Sequence, residues 1–194
     1  MLQFFTTQDE STMKFTPSNI PEVILIEPTV YGDHRGFFME TWQRKTFAEN
    51  GIDYDFVQDN HSKSSHGILR GLHYQMEQTQ GKLVRVVEGC VFDVAVDMRK
   101  SSPSFGQWVG YELSADNKNM LWVPPGFAHG FYVMSETAEF VYKCTDYYAP
   151  EHERSVLWND SDLAIDWHLV DGEAPILSDK DADAPTFKLA ETFS

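Results

Sequence analysis

The sequence predicts an all-β protein, an antiparallel sandwich or barrel with a few short peripheral helices, and three observations predict it. From Asp53 onward the segments KLVRVVEG, VFDVAVDMR, GQWVGYELS, MLWVPPG, GFYVM and AEFVYKCTDYY follow one another, each strand-sized and rich in β-branched and aromatic residues. Gly, Pro, Ser and Asn turns divide them. No long helical pattern intervenes, which argues against βαβ units.

Taken in order, residues 1–15 read as a variable polar extension, leaving 16–194 as a single domain, since a chain of 194 residues holds one substantial core. EVILIEP is a strand stopped by Pro28, and YGDHRGFFMET is a glycine-punctuated turn with a Phe-rich strand. TWQRKTFAENG reads as a helix of about three turns, with Trp42 and Phe47 on one inward stripe and Gly51 as its left-handed C-terminal residue. NHSKSSHG reads as a Ser-rich turn flanked by His61 and His66. In VFDVAVDM, Phe92, Val94, Val96 and Met98 fall on one face and Val91, Asp93, Ala95 and Asp97 on the other. The face with Asp93 is either a solvated exterior or the polar lining of a cavity, because a carboxylate buried alone is costly. After Trp158 the alternation weakens, and a short helix begins near LSDKDADAP, where Ser178 and Asp181 have capping-box spacing.

Composition narrows the function. A formal charge of −15, from 15 Lys and Arg against 30 Asp and Glu, opposes binding to nucleic acid or an anionic membrane surface, while leaving room for an anionic small molecule in a locally basic cleft. No stretch approaches the ~20 apolar residues of a membrane span, and MLQFFTTQDEST lacks the features of a leader, so the expected location is cytoplasmic. Cys90 and Cys144 form no C-x-x-C pair and are expected as free thiols.

Two histidines stand in strand-end settings among glycines and aromatics: His73 in LRGLHYQ and His129 in PPGFAHGFY, the second resembling a cupin-like hairpin. Metal-binding cupins usually supply a close His-x-His pair with a carboxylate, whereas LHYQ offers one histidine, so no metal is expected. Arg70 and His73 are separated by an odd offset and point to opposite faces of a regular strand. Both reach one cavity only if Gly71 permits a bulge or Arg70 acts from the rim. By themselves Lys82, Tyr142 and Asp181 read as a solvated strand lysine, a core aromatic and a helix-cap carboxylate.

Over about Ile20 to Pro185 the chain carries longer motifs: VILIEP, GDHRGFFMET, FVQDNHSKSSHGILRGLHYQ, QGKLVRVVEGCVFDVAVDMRKSSPSFGQWVG, WVPPGFAHGF, EFVYKCTDYYAP and LWNDSDLAIDW. On these it closely resembles the dTDP-4-dehydrorhamnose 3,5-epimerases. The resemblance implies a cupin-type jelly roll, or double-stranded β-helix, acting as a homodimer without metal or organic cofactor. It implies conversion of dTDP-4-dehydro-6-deoxy-D-glucose to dTDP-4-dehydro-L-rhamnose. The family's catalytic histidine falls on His73, its aspartate partner on Asp181, its tyrosine acid on Tyr142 and its buried lysine on Lys82. Further pocket positions fall on Arg70, Asp93 and His129, and diphosphate and nucleotide contacts on Arg35, Gln58 and Asn60, with Phe37 and Glu40 nearby. Two other readings stand beside it: an epimerase acting at C3 only, and a noncatalytic sugar-nucleotide-binding jelly roll.

Overall fold

The computed structural model describes residues 13–194. Residues 1–12 of the polar extension lie outside the described residues, and Lys14 and Phe15 already belong to the first strand. In chain order the strands are β1 (Lys14–Pro17), β2 (Ile24–Glu27), β3 (Val30–Asp33), β4 (Gly36–Met39), β5 (Gln58–Ser65), β6 (Leu69–Gln75), β7 (Lys82–Glu88), β8 (Cys90–Asp97), β9 (Trp108–Ser114), β10 (Met120–Val123), β11 (Phe127–Val133), β12 (Thr137–Cys144) and β13 (Glu153–Ser155). Helix α1 (Arg44–Glu49) precedes β5, and helix α2 (Asp179–Ala182) follows β13. No helix among the described residues is long and apolar enough to cross a membrane.

Two antiparallel sheets form a jelly roll, ordered β1-β2-β10-β7-β12-β5 and β13-β6-β11-β8-β9, and β3–β4 makes a separate hairpin. Strand alternation divides the apolar residues as a sandwich requires. Val84 and Val86 of β7, Val91 and Ala95 of β8, Phe131 and Val133 of β11, and Ala138 and Phe140 of β12 fill one core. The other face of the five-stranded sheet, with Phe92, Val94, Val96 and Met98, is covered by Leu163, Trp167 and neighbouring residues of the C-terminal segment. Outside the six-stranded sheet, Phe47 packs with Ile24, Ile26 and Trp122. Cys90 and Cys144 are free thiols.

Two local expectations change and one open alternative closes. Helix α1 has only six residues and starts after Trp42, because the Gln43 side chain caps it by accepting from Thr46 N at 2.7 Å. Trp42 still packs on the Phe47 cluster, edge-on to Phe56. Gly51 does end the helix, with φ +85°, and the bonds Gly51 N→Ala48 O and Ile52 N→Phe47 O make a Schellman closure. NHSKSSHG is mostly strand, since pairing of β5 with β12 runs from Gln58↔Cys144 to Ser65↔Thr137. Finally, β8 has no solvated exterior: residues 91–97 are all buried, and Asp93 is fully inaccessible.

Candidate active site

At one end of the sandwich the inward stripes turn polar. Along β7 the sequence Val86, Val84, Lys82 passes from core to cavity, and along β12 Ala138 and Phe140 are followed by Tyr142. The resulting cavity, about 400 Å³, is lined by Arg70, His73, Lys82, His129, Tyr142 and Asp181, with Ile68, Phe131 and Leu177 among its apolar walls.

Arg70 reaches the side of His73 through a bulge. Pairing of β6 with β11 runs His129↔His73 and then Phe131↔Arg70, so three steps on β6 span two on β11. Gly71 makes this possible: its φ is +128°, and a Cβ there would lie 2.5 Å from Gly130 Cα. Arg70 is also exposed, so it reaches the cavity from its rim.

Two His–carboxylate pairs occupy the five-stranded side. His73 Nε2 lies 2.5 Å from Asp181 Oδ1, with the aspartate side chain almost wholly buried. Burial pushes the Asp181 carboxyl up, but the hydrogen bond and charge of His73, the Ser178 bond and Lys180 outweigh it, and its pKa falls below the usual range. Ser178 caps α2 by accepting from Asp181 N at 3.2 Å, which leaves the carboxylate free to face His73. Deeper in, His129 Nε2 sits 2.9 and 3.0 Å from the two oxygens of Asp93. Burial raises the Asp93 pKa, opposed by His129 and Lys82.

On the opposite wall, burial lowers the pKa of the Lys82 ammonium, while Cys144, Glu153 and Asp93 pull the other way. Tyr142 is pushed up to about 12, chiefly by burial, with Cys144 adding and Arg70 opposing. It therefore holds its proton at neutral pH.

Gln58 and Asn60 lie on the same inward stripe of β5 as the cavity-lining Ser62, with Asn60 opposite Tyr142, and do not themselves line this cavity. Gln58 Nε2 donates to Asn60 Oδ1 at 3.1 Å, Asn60 Nδ2 to Cys144 Sγ at 3.5 Å, and Tyr148 N to Gln58 Oε1 at 2.9 Å. Arg35, Phe37 and Glu40 are not brought to the cavity of the same chain. Arg35 and Phe37 line a separate hollow on the exposed β3–β4 hairpin, where Arg35 pairs with Asp33, and Glu40 is exposed just beyond it. Glu153 carries no signal in the sequence, yet its Oε2 accepts from the Tyr148 hydroxyl at 3.0 Å and pairs with Lys180 Nζ. Its pKa is lowered although burial opposes this, because Lys180, Tyr148 and the nearby His73 prevail. It lies in the charged run PEHERS, which alternation alone does not distinguish from surface. Among the described residues no group of three or more His, Cys, Asp or Glu side chains is placed to hold a metal ion.

A profile of the family described as dTDP-4-dehydrorhamnose 3,5-epimerase matches residues 17–189. The dTDP-4-dehydrorhamnose 3,5-epimerase of Pseudomonas aeruginosa is 59% identical over 182 residues, which are 93% of this chain and 99% of that protein. The crystal structure of a dTDP-6-deoxy-D-glucose-3,5-epimerase from Legionella pneumophila, in complex with dTDP-4-keto-L-rhamnose, superposes with TM-score 0.88 at 58% identity, covering 91% of this chain and 94% of that one. A 3′-monoepimerase from Streptomyces bikiniensis, in complex with dTDP-quinovose, is less similar: TM-score 0.82 and 35% identity, over 89% of this chain and 87% of that one.

Proposed function

The chain belongs to the dTDP-4-dehydrorhamnose 3,5-epimerase family, an isomerase of dTDP-L-rhamnose biosynthesis, and on that footing we propose how its cavity divides the chemistry. The substrate is a dTDP-sugar, dTDP-4-dehydro-6-deoxy-D-glucose, whose C4 ketone acidifies the protons on both C3 and C5. Epimerisation then asks for a base, an acid on the opposite face and a site for the enolate oxygen. The observation that carries the assignment is the placement of candidate base and acid on opposite walls: His73 on β6 of one sheet and Tyr142 on β12 of the other.

His73 is the base. Its Nε2–H donates to Asp181, which leaves the Nδ1 lone pair for the substrate proton and stabilises the imidazolium that forms. Tyr142, held protonated by its surroundings, delivers a proton to the other face of the carbon. Lys82 and His129, with Asp93 orienting the latter, meet the charge that develops on O4, inside a cavity where such charge is poorly screened. Arg70, Gln58 and Asn60 contact the substrate around the mouth. Arg35, Phe37 and Glu40 lie on a hairpin away from this cavity, and a homodimer in which each hairpin reaches the neighbouring copy gives them a role in binding the dTDP moiety.

Conversion of dTDP-4-dehydro-6-deoxy-D-glucose by purified protein in deuterated water tests the reading. Deuterium at both C3 and C5 of the product is expected. Label confined to C3 would favour the monoepimerase reading, and no exchange at all would favour a binding protein.

A further inference from the structure

Strand β5 forms an edge of the six-stranded sheet, and its inward positions are Gln58, Asn60, Ser62 and Ser64. All four are polar, where inner faces of a sandwich are ordinarily apolar. Gln58 and Asn60 bond each other, Gln58 also accepts from Tyr148 N and Asn60 donates to Cys144 Sγ, and Ser62 lines the cavity. Ser64 is different: it is 5% exposed, sits opposite Ala138 and is not a cavity-lining residue. Its hydroxyl oxygen accepts from Arg70 Nε at 2.9 Å. That bond crosses between the sheets, from β5 to the residue preceding the β6 bulge.

Among the described residues this is the one hydrogen bond of the Arg70 side chain, so neither terminal nitrogen has a protein acceptor. A guanidinium fastened at Nε keeps its Nη1 and Nη2 donors as a planar fork for two anionic oxygens. An unfastened arginine at a cavity rim loses rotamer freedom on meeting the same ligand, which weakens the contact.

We propose that Ser64 is a positioning residue of the epimerisation, holding Arg70 by Nε so that both terminal nitrogens are presented to anionic oxygens of the substrate. The inference rests on the reading of Arg70 as a substrate contact. A lysine at 70 has no Nε–H at this place, so the two residues form a coupled pair that mutagenesis can separate from packing.

Steady-state kinetics of Ser64→Ala, Ser64→Thr, Arg70→Lys and the S64A/R70K double variant test it. S64A is expected to lower kcat/KM by about 10-fold, the scale of one hydrogen bond to a charged group. S64T, which keeps the hydroxyl, should stay within about twofold of the parent, and S64A should add less than about twofold in the R70K background. Parental kinetics in S64A, or the same 10-fold loss in both backgrounds, would overturn the positioning role. R70K with parental kinetics would remove the reading of Arg70 itself, whereas an impaired R70K beside an unimpaired S64A removes only the role of Ser64. If S64A does not fold, Ser64→Cys, similar in volume but a weak acceptor, takes its place in the same cycle.

Discussion

At Asp181 two local demands compete. Its position in the first turn of α2 would let the carboxylate fold back onto the helix start as half of a capping box, yet it turns to His73 while Ser178 alone serves the cap. The result is that the tautomer of His73, the proposed base, is set by a group 108 residues away in the chain. The division of labour between His73 and Tyr142 makes a sharp prediction. His73→Asn should abolish both solvent exchange and turnover, losing at least the ~10²–10⁴-fold attributed to a positioned acid or base. Tyr142→Phe should leave an enolate able to form and return, so deuterium exchange into recovered substrate persists while epimeric product falls sharply. Exchange surviving in H73N and vanishing in Y142F would reverse the two faces.

The element that matters most to the site is β6. An even strand would send Arg70 and His73 to opposite sides, and the extra residue inserted against β11 puts both at the cavity. Gly71 and Gly130 meet backbone to backbone there, and a Cβ on Gly130 would lie 2.7 Å from Arg70 O. Gly71→Ala should therefore act opposite to a helix-surface Gly→Ala change, which stabilises: positive φ and backbone contact together should destabilise by at least ~2 kcal/mol. Thermal melting measures this, and a stable G71A enzyme with parental kinetics would show that the bulge does not require glycine.

Over the whole molecule, the three clusters fill the space between the sheets and cover the outer face of the five-stranded sheet and part of that of the six-stranded one, while the β3–β4 hairpin leaves Phe37 61% and Phe38 71% exposed, with Val30 and Tyr31 beside them. So much exposed apolar side chain on one small element marks an interaction site. In the proposed homodimer a second copy covers this hairpin and gives Arg35 and Phe37 a binding role, so light scattering at micromolar concentration should report twice the 22.3 kDa chain mass. Phe38→Ser should shift that mass toward the monomer and cut activity in parallel. A fully active monomer would rule out a shared site.

Alternation of apolar residues by itself determined the all-β class and, in β8, sorted the two faces correctly, because a period of two is a property of neighbouring residues. The long motifs determined the family, and the odd offset in LRGLHYQ left two ways for Arg70 and His73 to share a cavity, a bulge at Gly71 or action from the rim, between which only the pairing of β6 with β11 decides. What alternation does not contain is the identity of whatever lies across a face. It left Asp93 open between solvent and cavity, and only the packing of β8 between β11 and β9 buried it against His129. It likewise passed over the polar inward stripe of β5, the Ser64–Arg70 bond between sheets, and the meeting of Glu153 with Tyr148 and Lys180. Each of these depends on elements brought together by sheet pairing and chain return, and that long-range closure is where tertiary structure decides which polar residue becomes a functional one.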